Sequence, residues 1–232
     1  MNNKTHMGLL PTGLADILPP EAEFEAYITE VLMNSFAKYG YDRVKPPLIE
    51  FEDILLSGSG SNMAKQTFRM MDPISQRMLG VRADMTLQIA RIASTRLGDI
   101  KRPIRLSYAG QVLRVKGSNL RPKRQFGQIG VELVGSPSPK ADSEIILMAA
   151  DALSNLEIKN LSIDLCLPTL VPAICQSHKI ESTSIVNRLR VALDEKDKPA
   201  VEILEKELGE GTNAVFSSLL EAVGPVDKAL KN

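Results

Sequence analysis

Between Arg105 and Gly135 the chain reads RLSYAGQVLRVKGSNLRPKRQFGQIGVELVG. Two runs in which apolar and polar residues alternate flank a short loop rich in Arg and Lys, the pattern of a β-hairpin. Upstream the period changes. Phe24, Tyr27, Ile28, Val31, Leu32, Ser35, Phe36 and Tyr39 recur every three or four positions, opened by Pro19-Pro20-Glu21 and closed by Gly40, which predicts an amphipathic helix. YDRVKPPLIEF reads as extended, because a residue preceding proline is pushed out of the helical region. A short helix follows at Phe51 to Leu56, then SGSGSN as a loop. Thr67 to Met71 and Arg77 to Arg82 read as strands around a turn containing Asp72-Pro73. Thr86 reads as the N-cap of a helix whose stripe is Leu87, Ile89, Ala90, Ile92, Ala93 and Leu97.

Past the hairpin, SPSPKADSEIILMAADALSNL predicts a capped helix, and NLSIDLCLP a further strand. From Pro168 onward the pattern is helical, in TSIVNRLRVAL, DKPAVEILEKEL and TNAVFSSLLEAV. Strands and helices come in blocks, without a regular βαβ alternation. The expected fold class is therefore α+β, a mostly antiparallel sheet flanked by helices, with a helical C-terminal segment. A boundary falls near Lys179, giving a core over 1–179 and a helical segment over 180–232.

Composition narrows the chemistry. Lys+Arg and Asp+Glu both number 28 among 232 residues, so the whole chain projects no field toward polyanions and any phosphate contact must be local. No run of about 18 apolar residues and no signal-peptide pattern is present, so the expectation is a cytoplasmic protein without a membrane partner. Cys166 and Cys175 read as buried thiols, and the two histidines are isolated. No metal-ligand set, cofactor motif or histidine general base is expected.

Two clusters remain. The hairpin loop holds Arg114, Lys116, Arg121, Lys123 and Arg124, either a solvated turn or a set of donors for an anion, with Arg121, Lys123 and Arg124 as the contacting loop. On its second strand Gln128 and Glu132 share a face with Phe126 and Gly130, so Glu132 is solvated or lines a pocket. Arg82, Asp84 and Thr86 lie at a strand–helix junction, where Asp84 and Thr86 also suit an ordinary turn and cap.

GLLPTGLADILPPEA, TFRMMD, VRADMTLQIAR and the hairpin itself resemble the histidyl-tRNA synthetase core, a class II aminoacyl-tRNA synthetase fold. The resemblance is closer to the synthetase's non-catalytic relatives, the ATP phosphoribosyltransferase regulatory subunits, and runs from about Gly8 to about Leu167. The synthetase phrase is Arg-Pro-Glu-Gly-Thr, whereas regulatory subunits carry Arg-Ala-Asp-x-Thr; Arg82 to Thr86 reads RADMT. The resemblance implies that Asp84 and Thr86 hold the α-amino group of histidine, that Gln128 and Glu132 hold the amino group and ring, and that Arg114 faces the carboxylate. Two carboxylates suit an ammonium and a ring N–H.

Two departures weigh against catalysis. Where the synthetase motif is Phe-Arg-x-Glu, this chain has LRVK, so Lys116 puts a cation where an acceptor meets adenine. Neither the Leu-Asp-Tyr-Tyr-type signature nor the third class II motif is found before Asn232, which removes the arginines that would stabilise a transferring phosphate. Two readings of that end stand: a short member whose sheet is completed differently, or part of a longer chain. The resemblance thus implies a non-catalytic subunit with no cofactor and no tRNA. Its implied partners are a short-form ATP phosphoribosyltransferase catalytic subunit and a second copy of itself, in a hetero-oligomer with histidine as effector. The competing expectations are a histidyl-tRNA synthetase fragment and a histidine-sensing paralogue.

Overall fold

The computed structural model describes residues 9–58, 61–118, 120–164, 166–209, 212, 214–222 and 224–226. Ser59 and Gly60 of the expected Gly/Ser loop, and Leu165 of the expected last strand, lie outside them. The chain divides into two compact units, Met1–Leu161 and Ser162–Asn232.

The first unit contains helix α1 (Glu21–Lys38), strands β1 (Asp42–Arg43) and β2 (Ile49–Phe51), helices α2 (Glu52–Leu55) and α3 (Ser61–Gln66), and strands β3 (Phe68–Met71) and β4 (Met78–Val81). Helix α4 (Thr86–Ser94), the long strands β5 (Ile104–Leu113) and β6 (Gln125–Val134), and helix α5 (Pro139–Ser154) complete it. Among the described residues two three-stranded sheets result, ordered β1-β5-β6 and β2-β4-β3. Every pairing is antiparallel except β1 with β5, as the α+β expectation required. The hairpin is in register from Ile104 opposite Val134 to Leu113 opposite Gln125.

Alternation along β5 and β6 gives that sheet two different faces. One packs on α4, with Met85, Ile89, Ala93, Ile104, Leu106, Tyr108 and Val112 as its buried centre. The other packs on α1 and α5, where Ala109, Ile129, Val131 and Leu133 meet Met33, Phe36, Met148 and Ala152. Proline at the start of α5 suits a first turn whose N–H groups lack partners, and Ser138 caps that turn by accepting from the Lys140 N–H.

Buried polar struts lock the elements that flank α4. Arg82 donates from Nε to the Gln111 carbonyl at 2.8 Å and from Nη1 to the Pro46 carbonyl at 3.1 Å, and burial depresses its pKa. It ties the Lys45–Pro47 stretch to the hairpin. Glu50 accepts from Gln88 Nε2 at 2.9 Å and from Arg91 Nε at 3.1 Å, which fixes α4 against β2.

The second unit is helical: α6 (Leu170–Ser177), α7 (Thr183–Asp194), α8 (Lys198–Leu208) and α9 (Val215–Glu221). Its core holds Cys175, Leu189, Val201, Leu204 and Phe216. Because α6 supplies Cys175, the division falls at Leu161/Ser162, ahead of the boundary near Lys179 drawn before the helical tail. Glu205 is buried in α8, where its carboxylate accepts from the Phe216 and Ser217 N–H groups at the start of α9. No helix among the described residues is long and apolar enough to cross a membrane.

Three local expectations are corrected. The described residues of 160–168 form an irregular segment, not a strand. Alternation alone makes no strand; the backbone must find a neighbour, and among the described residues none is paired with it. Cys166, within that segment, is exposed rather than buried, whereas Cys175 is buried. Thr86 is the first residue of α4, after an N-cap at Met85.

Candidate functional site

The site is built where the start of α4 crosses the α4-facing side of the hairpin. At the β4–α4 junction Asp84 turns its carboxylate back, so that Oδ1 accepts from the Thr86 N–H at 2.8 Å. From β6, Gln128 reaches over. Its Oε1 accepts from the Met85 N–H at 2.9 Å, and its Nε2 donates to Asp84 Oδ2 at 3.0 Å. Side chains from two elements thus satisfy two of the N–H groups that the first turn of a helix leaves open.

The chain of contacts continues through a residue that the motifs did not single out. Tyr108 on β5 donates its hydroxyl to Glu132 Oε1 at 3.3 Å, and the same oxygen lies 3.3 Å from Thr86 Oγ1. Either hydroxyl can be the donor in the contact between Thr86 and Tyr108. Asp84, Gln128, Thr86, Tyr108 and Glu132 form one polar array beside a cavity of about 180 Å³ between α4 and β6, lined by Thr86, Ala90, Ser94, Arg102 and Glu132 among others.

Glu132 is half-buried and has a second carboxylate nearby. Burial pushes Glu132 above the usual carboxylate range; the Thr86 and Tyr108 hydroxyls pull it back, and the charge of Asp84 pushes it up. Burial also drives the Tyr108 phenol up to about 12, so Tyr108 stays a hydrogen-bond donor at any ordinary pH. The array offers carboxylate acceptors to a cation or an N–H donor.

Arg114 leaves β5 beside this array. Its Nε donates to the Ala83 carbonyl at 3.3 Å, and its guanidinium stands 5.1 Å from the Phe126 ring centre. Asp84, Thr86, Gln128 and Glu132 are therefore brought together, with Arg114 at their margin. The loop set is separate. Arg121 and Lys123 are exposed. Arg124 serves the N-terminal segment: its Nη1 donates to the Thr12 carbonyl at 3.0 Å, its Nε to the Arg114 carbonyl at 3.3 Å, and it stacks 4.8 Å from the Phe68 ring centre. Lys116 is exposed, with its backbone N–H donating to Gln66 Oε1 at 3.3 Å.

Among the described residues no group of three or more His, Cys, Asp or Glu side chains could hold a metal ion. Wider clefts exist elsewhere, such as one of about 440 Å³ between α7 and α8, but the hydrogen-bonded acceptor array described above is not part of them.

A mostly antiparallel sheet flanked by helices, with the long hairpin carrying this array, is a class II aminoacyl-tRNA synthetase-like fold. Within that class the chain belongs to the histidyl-tRNA synthetase family, whose model matches residues 13–232. Among curated proteins it is 54% identical over 230 residues to the ATP phosphoribosyltransferase regulatory subunit of Paramagnetospirillum magneticum, covering 99% of this chain and 59% of that one. It is 53% identical over 224 residues to the subunit of the same name from Rhodospirillum centenum, covering 97% and 57%. The chain thus spans less than two thirds of the length of these relatives. A crystal structure titled as an ATP phosphoribosyltransferase regulatory subunit/histidyl-tRNA synthetase from Bacillus halodurans C superposes with a TM-score of 0.77 at 26% identity, over 94% of this chain and 56% of that one. The histidyl-tRNA synthetase of Nostoc sp. PCC 7120 shares the fold, with a TM-score of 0.75 at 20% identity over 96% of this chain and 50% of the other.

Proposed function

We propose that this chain is the histidine-binding part of a non-catalytic ATP phosphoribosyltransferase regulatory subunit. The observation that carries the reading is the continuous array of Asp84, Gln128, Thr86, Tyr108 and Glu132, which joins two carboxylates in one hydrogen-bonded network, with Thr86 and Glu132 lining a small cavity. The ammonium of histidine meets Asp84, Thr86 and Gln128, its ring N–H meets Glu132, and Arg114 answers its carboxylate. The names carried by the 54% and 53% identical relatives support the regulatory role. Lys116 supports the lack of catalysis, since a cation replaces the acceptor that adenine requires. The partner is a short-form catalytic subunit, with this chain as a homodimer in the hetero-oligomer and histidine as effector.

Calorimetry with histidine, histidinol and alanine tests the site. Histidine should bind best, and histidinol less well because it lacks the carboxylate. Removing one partner of a partly buried charged pair costs about 2 to 4 kcal/mol, so Glu132→Ala should weaken histidine binding roughly 30-fold or more. Lys123→Ala, on the solvated loop, should leave it unchanged. Histidine-dependent pyrophosphate exchange with ATP should be absent. Measurable exchange by the purified protein, or unchanged binding in Glu132→Ala, overturns the reading. Mixing with a short-form catalytic subunit should raise its rate and produce a larger assembly.

A further inference from the structure

Tyr108 is almost fully buried, at 4% exposure, yet its hydroxyl reaches the polar array rather than the apolar centre of the unit. It can do so because of the residue directly opposite. Tyr108 pairs with Gly130 across the hairpin, and a Cβ at position 130 would stand 2.5 Å from the Tyr108 hydroxyl oxygen and 2.6 Å from Cζ. No real side chain tolerates such an approach, so the absence of a side chain at 130 creates the channel through which the phenol crosses β6. The ring lies over the glycine, a cross-strand arrangement that also shields the bare backbone.

We propose that Tyr108, admitted by Gly130, is the positioning residue that holds Glu132 ionised and fixed in orientation, and that it thereby sets the pH range over which the site accepts a cationic or N–H-bearing ligand. The geometry gives Glu132 few other sources of help. From the start of α4 it faces Asp84, a like charge, and Thr86, whose single hydroxyl proton is shared between Glu132 and the contact with Tyr108; from the stretch before β5, Arg102 lines the same cavity without an ion pair to it; from its own strand, Gln128 is spent on Met85 and Asp84. Tyr108 commits its own hydroxyl proton to Glu132 Oε1, at 3.3 Å. A donor to the charged form of a carboxylate lowers its pKa, and burial opposed by the Thr86 and Tyr108 hydroxyls is the balance found at Glu132.

The binding arm of the test rests on the histidine reading above; the spectroscopic arm does not. In unliganded protein carrying ¹³C-labelled Glu side chains, with the Glu132 resonance assigned through Glu132→Gln, the Glu132 titration midpoint should move to higher pH in Tyr108→Phe. Gly130→Ala, which expels the hydroxyl while retaining it in the sequence, should move it the same way. An unchanged midpoint in both variants overturns the proposal. In calorimetry, the ratio of dissociation constants, Tyr108→Phe over wild type, cancels the titration of histidine itself. It should be roughly tenfold near pH 5 and fall below about threefold near pH 8, since one unit of pKa is worth a factor of ten. A ratio constant with pH assigns Tyr108 a purely packing role and sinks the idea. Wild type that binds no histidine, together with a shifted midpoint in the variants, would remove the functional reading and leave the positioning role of Tyr108 standing.

Discussion

The two faces of the β5–β6 hairpin are made by alternate residues of the same two strands, and they do opposite work. Toward α1 and α5 the sheet presents Ala109, Ile129, Val131 and Leu133 to an apolar core. Toward α4 it presents Tyr108, Gln128, Gly130 and Glu132, and there the apolar packing gives way to hydrogen bonds. A shifted glutamate meets each face, and the two are shifted in opposite directions. Glu144 of α5 takes Arg105 through both nitrogens, Nε and Nη2 at 2.7 Å each, and accepts from the Tyr41 hydroxyl at 3.1 Å. The Arg105 donation holds its pKa below the ordinary range, while burial foremost pushes Tyr41 up to about 12. Glu132 has no cation bonded to it and is raised by burial. One carboxylate is taken up by a bidentate arginine; the other has no such cation bonded to it.

The sharpest way to break this division is to damage the structural face. Met148 is fully buried on α5. Met148→Ala should destabilise the first unit by about 2 to 5 kcal/mol, the cost of a lost buried side chain and the cavity left behind, as read by urea unfolding. A loss below about 1 kcal/mol would mean that this face is not the core.

On the site face the sign should reverse. A carboxylate whose folded pKa is raised costs stability once it ionises, so wild type loses stability relative to Glu132→Gln as pH climbs from the ordinary carboxylate range through the raised value. At pH 7 the variant should be more stable by no more than about 1 kcal/mol, given that Glu132 is only half-buried. At pH 4 the difference should vanish. A variant less stable than wild type at pH 7 would show that Glu132 belongs to the scaffold.

The smallest effect belongs to Glu144→Gln. Its lowered folded pKa means that the stabilisation is present above the ordinary carboxylate range and is lost as pH falls through the depressed value. Because Arg105 and Glu144 keep side-chain exposures of 33% and 26%, solvent screening limits the loss at pH 7 to about 0.2 to 1 kcal/mol. It should fade in strong acid, the reverse of the trend at Glu132, as paired thermal melts would show.

Much of this was legible in the sequence, and the rest failed for identifiable reasons. Strict alternation announced the hairpin, and an even spacing put Gln128 and Glu132 on one face with Phe126 and Gly130. Resemblance to a known motif added Asp84 and Thr86. Tyr108 was missed because an aromatic residue in an alternating strand reads as core, and only the pairing register places it opposite a glycine. Arg124 lies among five basic residues, and composition cannot tell a donor aimed at solvent from one tied to the carbonyls of Thr12 and Arg114. The 160–168 segment satisfies every local rule for a strand. Strand formation, however, depends on a neighbour's backbone, which local sequence does not describe.

The pairing of Tyr108 with Gly130 also constrains how these two positions can diverge. At position 130 any larger residue collides with the phenol, so substitutions there are closed while Tyr108 is in place. Once Tyr108 is replaced by something smaller, that collision is gone, and a side chain gained at position 130 then blocks a return to tyrosine. The order of the two changes matters, and the first one works as a ratchet: a lineage that gives up the phenol is carried away from the ancestral site by substitutions that are individually harmless.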